Sequence, residues 1–78
     1  MVTLTFYAGL KDYFPADMNL GEIPSDIGSL RQYLRGQKPL ASALLGQCRF
    51  AVDNTFVDED HLLRQGDIVL VIPPSSGG

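Results

Sequence analysis

The residues with the clearest chemical potential lie at the end of the chain, which reads Pro73-Pro74-Ser75-Ser76-Gly77-Gly78. Glycine has no Cβ and adopts backbone conformations closed to other residues, so a Gly-Gly end can thread a narrow channel in a partner protein. The carboxylate of Gly78 could then be presented to that partner for activation. The alternative is an ordinary frayed terminus without function.

The segment before this tail predicts how it is held. Residues Ile68 to Ile72 are five consecutive branched aliphatics, which indicate a strand that is apolar on both faces and central in its sheet. Proline has no amide hydrogen and a fixed φ, so Pro73 and Pro74 end the sheet pairing. We therefore expect a folded domain at residues 1–72 and a flexible tail at residues 73–78.

Few other residues offer catalytic chemistry. Residues 58–61, Asp-Glu-Asp-His, have the composition of a metal site, but four adjacent loop residues seldom converge on one ion, and a solvated turn is the better prediction. Cys48 is the only cysteine, and we expect it to be buried in a strand without a catalytic role. The chain has no paired histidine and nucleophile and no phosphate-binding loop. We expect no bound metal and no bound cofactor.

Composition narrows the function classes. With 45% hydrophobic and 19% charged residues, the 78-residue chain is predicted to be one small globular domain. Its net charge of −3 and six scattered basic residues argue against a nucleic-acid partner. The longest apolar run is too short to span a membrane or to form a signal peptide, so we expect a cytoplasmic protein.

The first half of the chain predicts a hairpin and a helix. Apolar residues alternate from Val2 to Ala8, which indicates a strand with Tyr7 on its outer face. A weaker second strand is predicted between Met18 and Ile23. Ser25 or Asp26 can cap a helix that begins at Ile27, and Gly36 is the predicted stop.

The second half predicts a short helical turn at residues 40–45 and then strands. Residues 48–52 and 55–57 are predicted to form a hairpin around the turn at Asp53-Asn54, with Phe56 and Val57 on opposite faces. The element order predicts an α+β fold, in which one helix covers one face of a mixed sheet and the first and last strands are parallel central neighbours. This is the β-grasp, or ubiquitin-like, layout. The predicted core consists of Leu4, Phe6, Ile27, Leu30, Leu34, Val52 and Leu70.

An ordered set of segments supports a family resemblance. They are residues 4–8 (LTFYA), 30–34 (LRQYL) and 50–55 (FAVDNT), then Gly66-Asp67, Pro73-Pro74 and Gly77-Gly78. With these segments the chain resembles the ubiquitin-like sulfur carriers of the MoaD/ThiS family, and among them most the small subunits of molybdopterin synthase.

The resemblance implies a carrier rather than an enzyme. Gly78 would be adenylated by an E1-like adenylyltransferase/sulfurtransferase, which holds ATP and magnesium, and converted to a thiocarboxylate. The thiocarboxylate would donate its sulfur to a precursor on a catalytic large subunit or another sulfur-acceptor enzyme. Residues 73–78 would thread the partner's channel, and Tyr7, Phe56 and Ile72 would form the partner interface. Phe56 could instead fold into the core.

Other functions stay open at the level of sequence. Ile68 and Ile72 stand where the molybdopterin-synthase subunits usually have an acidic and an aromatic residue, and Ser75-Ser76 replaces a more usual Val-small pair. A carrier for thiamine, cysteine or a sulfur-containing secondary metabolite is therefore an alternative. A ubiquitin-like protein modifier and a plain interaction domain are two others.

Overall fold

A computed structural model describes residues 1–75. Its five strands are β1 (Val2–Phe6), β2 (Asp17–Leu20), β3 (Arg49–Val52), β4 (Thr55–Val57) and β5 (Ile68–Ile72). Its two α-helices are α1 (Ile27–Gln37) and α2 (Ser42–Gln47), and 3-10 turns occupy Ala8–Asp12 and Pro39–Ala41. The second strand is thus shorter than predicted, and the short helical turn predicted at residues 40–45 is a 3-10 turn followed by a helix.

The five strands form one mixed sheet in the order β2-β1-β5-β3-β4. Strand β5 lies in the middle and pairs parallel with β1, whereas the other neighbours are antiparallel. The prediction that the first and last strands are parallel central neighbours is therefore confirmed. The arrangement is the β-grasp fold.

Helix α1 covers one face of this sheet. Asp26 is its N-cap, and its Oδ1 accepts a hydrogen bond from the Ser29 amide at 2.8 Å, as expected of a short acidic cap. The helix does not stop at Gly36. It continues to Gln37, and the Lys38 amide donates to the Leu34 carbonyl at 3.1 Å, so Gly36 remains inside the last turn and is not a left-handed cap.

The core lies between α1 and the covered face of the sheet, which we call the inner face. Phe6 stacks on Phe14 with ring centroids 4.5 Å apart. The prediction of Leu70 as a core residue is wrong. Leu70 pairs with Thr5 and Ala51 on the uncovered face, because side chains alternate along a strand. The fully buried aliphatic and aromatic side chains are Val2, Leu4, Phe6, Leu10, Ile27, Leu30, Leu34, Leu45, Phe50, Val69 and Val71.

Two further predictions need correction at element ends. Ala8 does not continue the inner face of β1, because the chain turns there with a φ of 52° and leaves Ala8 exposed. Cys48 is buried as predicted, but it precedes β3 and ends α2, and its thiol donates to the Leu44 carbonyl at 3.3 Å.

Within residues 1–75, neither helix has the length and the apolar composition needed to span a lipid bilayer.

Candidate functional site: the outer sheet face beside the tail

The sheet face that α1 leaves uncovered, the outer face, is ordered into rows by the strand register. One row crosses four strands. Phe56 pairs with Ala51, Ala51 pairs with Leu70, and Leu70 pairs with Thr5. Directly paired residues in neighbouring strands point to the same face, so these side chains lie side by side. Most of this row is apolar.

The next row lies at the end of the sheet from which the tail leaves. Arg49 pairs with Ile72 across β3 and β5, and Tyr7 directly follows the β1 residue that pairs with Val71. Tyr7 and Ile72 line one groove of about 460 Å³, together with Leu44 and the start of the tail. The structure therefore brings Tyr7 and Ile72 together at the base of the tail.

Phe56 extends this surface on the same face, at the edge of the sheet formed by β4. Its side chain is 50% exposed, whereas the neighbouring Val57 packs against the core. The turn residues Asp53 and Asn54 both have positive φ, near 53° and 63°, as a two-residue hairpin turn requires, and this turn fixes which face each β4 side chain occupies. The alternative that Phe56 folds into the core is therefore wrong.

Two more apolar residues extend the surface away from the tail. Ile68 is 57% exposed, and Leu70 is half-buried. The sequence-based interface does not include them, because an aliphatic run in a central strand was expected to be covered on both sides. The signal that identifies them is the single long helix, which can cover only one face. We call the whole surface the outer patch: Tyr7, Phe56, Ile68, Leu70 and Ile72.

The outer patch has a cationic side and a polar side. The guanidinium of Arg49 lies over the ring of Phe56, 3.8 Å from its centroid. On the far side, across β1 and β2, the hydroxyl of Thr3 donates to Asn19 at 2.9 Å and the hydroxyl of Thr5 donates to Asp17 at 3.0 Å. A partner that covers this face therefore meets a basic edge, an apolar centre and a neutral to acidic edge.

The acidic segment at residues 58–61 has a structural role at the start of α1. The carboxylate of Glu59 accepts two hydrogen bonds from the guanidinium of Arg31, the shorter at 2.6 Å. Its backbone carbonyl accepts from the Gly28 amide, and the His61 carbonyl accepts from the Ile27 amide, each at 3.0 Å. Across residues 1–75, no three His, Cys, Asp or Glu side chains are grouped as metal ligands would be.

The tail begins beside the outer patch. Pro73 is half-buried, Pro74 and Ser75 are exposed, and all three line the same groove as Tyr7. Ser76, Gly77 and Gly78 lie outside the described residues. Threading of residues 73–78 through a partner and activation of Gly78 therefore stay predictions, as does the use of the outer patch as an interface.

Comparisons with known proteins agree on a family and a fold. The model of the ThiS family matches residues 9–78. The molybdopterin synthase sulfur carrier subunit of Escherichia coli is 31% identical over 83 residues, covering all of both chains.

Solved structures of low identity share the fold. SAMP1 of Haloferax volcanii has a TM-score of 0.77 at 17% identity, covering 99% of this chain and 98% of that one. In a complex of subunits 1 and 2 of the molybdopterin-converting factor of Helicobacter pylori 26695, one chain has a TM-score of 0.72 at 24% identity, covering 99% and 97%. The ordered segments, the β-grasp topology and these matches over nearly the whole length lead to one conclusion: the chain belongs to the ThiS family.

Proposed function

We propose that this protein is a sulfur carrier for molybdopterin synthesis, and that its Gly78 carboxylate is converted to a thiocarboxylate. The observation that carries the proposal is the full-length similarity to the sulfur carrier subunit of E. coli, together with the Gly77-Gly78 end. The apolar outer patch beside the base of the tail supports it, because a protein that hands its tail to a partner needs a contact surface there.

The chemistry takes place at the end of the tail. A carboxylate oxygen of Gly78 attacks the α-phosphorus of ATP, and pyrophosphate leaves. A sulfur nucleophile at the oxidation level of hydrosulfide then attacks the acyl carbon of the adenylate. The C–S bond forms, the acyl C–O bond to AMP breaks, AMP leaves, and loss of the S–H proton gives the thiocarboxylate. ATP and magnesium belong to the activating enzyme, an E1-like adenylyltransferase. The thiocarboxylate finally gives its sulfur to a precursor bound by a catalytic large subunit.

The carrier's own contribution is docking and reach. Six residues follow β5, and a fully extended chain of that length spans at most about 20 Å. The acyl carbon can therefore enter a site deep inside a partner while the outer patch stays at its surface. Glycine at the last two positions lets the tail pass walls that a Cβ would touch. On this proposal the carrier is inactive without its partners.

The test is mass spectrometry of the untagged protein from cells that make the activating enzyme. We expect a species heavier by the difference between one sulfur and one oxygen atom, located on the C-terminal peptide. A variant that lacks Gly78 is the matched control and should carry no such species. Gly78 joined to lysines of other proteins, without any thiocarboxylate, would contradict the proposal and indicate a protein modifier.

A further inference from the structure

Arg49 is held in place by Phe56 rather than by an acidic residue. It is the first residue of β3, it is exposed, and its guanidinium carbon lies 3.8 Å from the centre of the Phe56 ring. Stacking on a ring uses the flat face of the guanidinium and leaves its N–H edges free to donate. Arg49 also pairs across the sheet with Ile72, at the base of the tail.

Two other arginines of the chain, in contrast, donate hydrogen bonds to neighbouring residues through their guanidinium groups. Arg31 donates four hydrogen bonds, two to the Glu59 carboxylate and one each to the carbonyls of Leu45 and Cys48. The Nε of Arg35 donates to the Ser42 hydroxyl at 2.8 Å. Within residues 1–75, the Arg31–Glu59 contact is the one ion pair, so Arg49 has no carboxylate partner there.

We propose that Arg49 binds a carboxylate on the activating enzyme, at the edge of the apolar surface that covers the outer patch. This inference rests on the proposed sulfur-carrier function and names a recognition contact for it. A planar guanidinium matches a carboxylate through two parallel hydrogen bonds. Because Phe56 already orients the guanidinium, little side-chain freedom is lost on binding, which favours the contact.

The position of Arg49 decides which anion it meets. The reactive carboxylate of Gly78 lies up to about 20 Å along the tail, so the phosphate of an acyl adenylate forms far from the outer patch when the tail is extended. The anion at Arg49 is therefore a protein side chain. The opposite edge of the outer face holds Asp17, which repels a partner carboxylate over β2. Asp58 follows the β4 residue that pairs with Phe50, so the attraction over β3 depends on direct contact with the Arg49 guanidinium. Arg49 thus sets the orientation of docking.

The strength of the contact depends on burial. An exposed ion pair contributes little, but docking on the outer patch removes water around Arg49, and arginines in such settings are frequent binding hot spots. We expect Arg49→Glu to raise the KM of adenylation by about 10- to 100-fold, in line with the loss of a desolvated charge pair. The kcat at saturating carrier should be unchanged, because Arg49 lies away from the reacting atoms.

The experiment measures pyrophosphate release by the E1-like adenylyltransferase of the same genome, with ATP and the full-length carrier. Arg49→Gln should raise KM less than Arg49→Glu. The KM of Arg49→Lys should lie between those of Arg49→Gln and wild type, because lysine keeps the positive charge but lacks the two parallel N–H donors of the guanidinium. The KM of wild type should rise with salt more steeply than that of Arg49→Gln. The control is Arg64→Glu, an equal charge change in the exposed loop at the opposite end of β5.

The outcomes separate this inference from the proposed function. A wild-type KM in both Arg49→Glu and Arg49→Gln, or an equal rise in Arg64→Glu, overturns the role of Arg49 and leaves the carrier function intact. Absence of adenylation of the wild type overturns the carrier function, and the role of Arg49 with it. Thermal melting of each variant excludes unfolding as a cause, and Arg49→Gln serves if the glutamate variant is unstable. A selective KM rise in folded variants establishes the contact.

Discussion

The two faces of strand β5 carry the same class of residue, but one face is buried and the other is partly exposed. Val69 and Val71 are fully buried on the inner face, whereas Ile68 on the outer face is 57% exposed. All belong to one aliphatic run, so hydrophobicity alone does not decide burial. Burial is decided by α1, because this helix covers only one face of the sheet. The inner face stabilises the fold, and the outer face is left as a candidate recognition surface.

The inner face is also fastened by polar contacts. Arg31 on α1 donates to the carbonyls of Leu45 and Cys48 at 2.6 and 2.9 Å, which ties the end of α2 to the helix. Its ion pair with Glu59 ties down the loop between β4 and β5. Both arginines lie over a ring, Arg31 over the buried Phe50 and Arg49 over the exposed Phe56, but within residues 1–75 Arg49 has no carboxylate partner. The two faces therefore use the same residue type for opposite purposes, one closing a surface and the other leaving donors free.

The largest expected effect is on sulfur transfer and comes from a change in the tail, which belongs to neither face of the sheet. Deleting Gly78 should abolish sulfur transfer and leave the melting temperature unchanged, because the tail lies beyond the last strand. Thiocarboxylate formation and thermal melting measure the two properties. Ser76→Ala, which keeps the tail small and of equal length, is the control and should stay active. Undiminished sulfur transfer without Gly78 would contradict the carrier function.

The next prediction sets a buried residue against an exposed one. Leu30→Ala should lower the free energy of unfolding by about 2 to 5 kcal/mol, because it removes buried methyl groups and leaves a cavity under α1. Ile68→Ala on the outer face should change it by no more than about 0.5 kcal/mol. Urea unfolding of both variants checks this. Equal losses would show that the outer face is also part of the stabilising core.

Much of this contrast could be predicted from the sequence, and the reason is periodicity. The alternation in β1, the Asp26 cap and the helical spacing of Ile27, Leu30 and Leu34 each encode local geometry. The Asp53-Asn54 turn did the same for the hairpin. These features predicted the elements and the outer-face position of Tyr7, and the order of the elements predicted that the first and last strands are parallel central neighbours.

What the sequence could not give depends on contacts between distant segments. The sequence predicts Leu70 in the core because a uniformly aliphatic strand has no period that distinguishes its two faces. The sequence predicts that Gly36 stops the helix, but the Lys38 amide closes the last turn on the Leu34 carbonyl, so no left-handed residue is required at position 36. The hydrogen bonds of Arg31 join α1 to the end of α2 and to the loop after β4, which are far from it in sequence, so no local pattern signals them.

Adjacent residues of β4 offer a sharper test of the two faces. Phe56→Asp should leave the domain folded and weaken binding of the activating enzyme by at least about 10-fold, because it places a charge in the outer patch. Val57→Asp, one residue away, should unfold the domain, because it directs a charge into the core. Circular dichroism and a binding titration separate the two results. Normal binding by folded Phe56→Asp would remove the outer patch from the site.

A smaller effect is expected at Cys48, the buried residue between α2 and β3. Burial raises the pKa of the Cys48 thiol, so at neutral pH it stays protonated and is a poor nucleophile. Cys48→Ser should therefore retain sulfur transfer, since the serine hydroxyl can donate to the Leu44 carbonyl as the thiol does. Thiocarboxylate formation by the variant is the measurement. A stable variant that no longer accepts sulfur would show that the thiol takes part.

The smallest expected effect concerns the N-cap of α1, the helix that covers the inner face. The Ser29 amide donates a hydrogen bond to the Asp26 carboxylate, and this bond, with the nearby Ser29 hydroxyl, lowers the pKa of the carboxyl below its ordinary value of 3.8. A carboxyl whose pKa is lower in the folded than in the unfolded state stabilises the fold above the unfolded pKa. This contribution is lost as the pH falls through the folded pKa.

The matched variant for this cap is Asp26→Asn, which keeps an acceptor for the Ser29 amide but does not titrate. Near pH 7 the wild type should melt at a slightly higher temperature than the variant, because a charged cap also interacts favourably with the helix N-terminus. The difference should shrink as the pH falls below 3.8 and the Asp26 carboxylate takes up a proton. Melting curves of both proteins from pH 7 to about 2 provide the measurement. A difference that stays constant over this range would show that the charge of Asp26 does not contribute, and that only the geometry of the cap holds the start of α1.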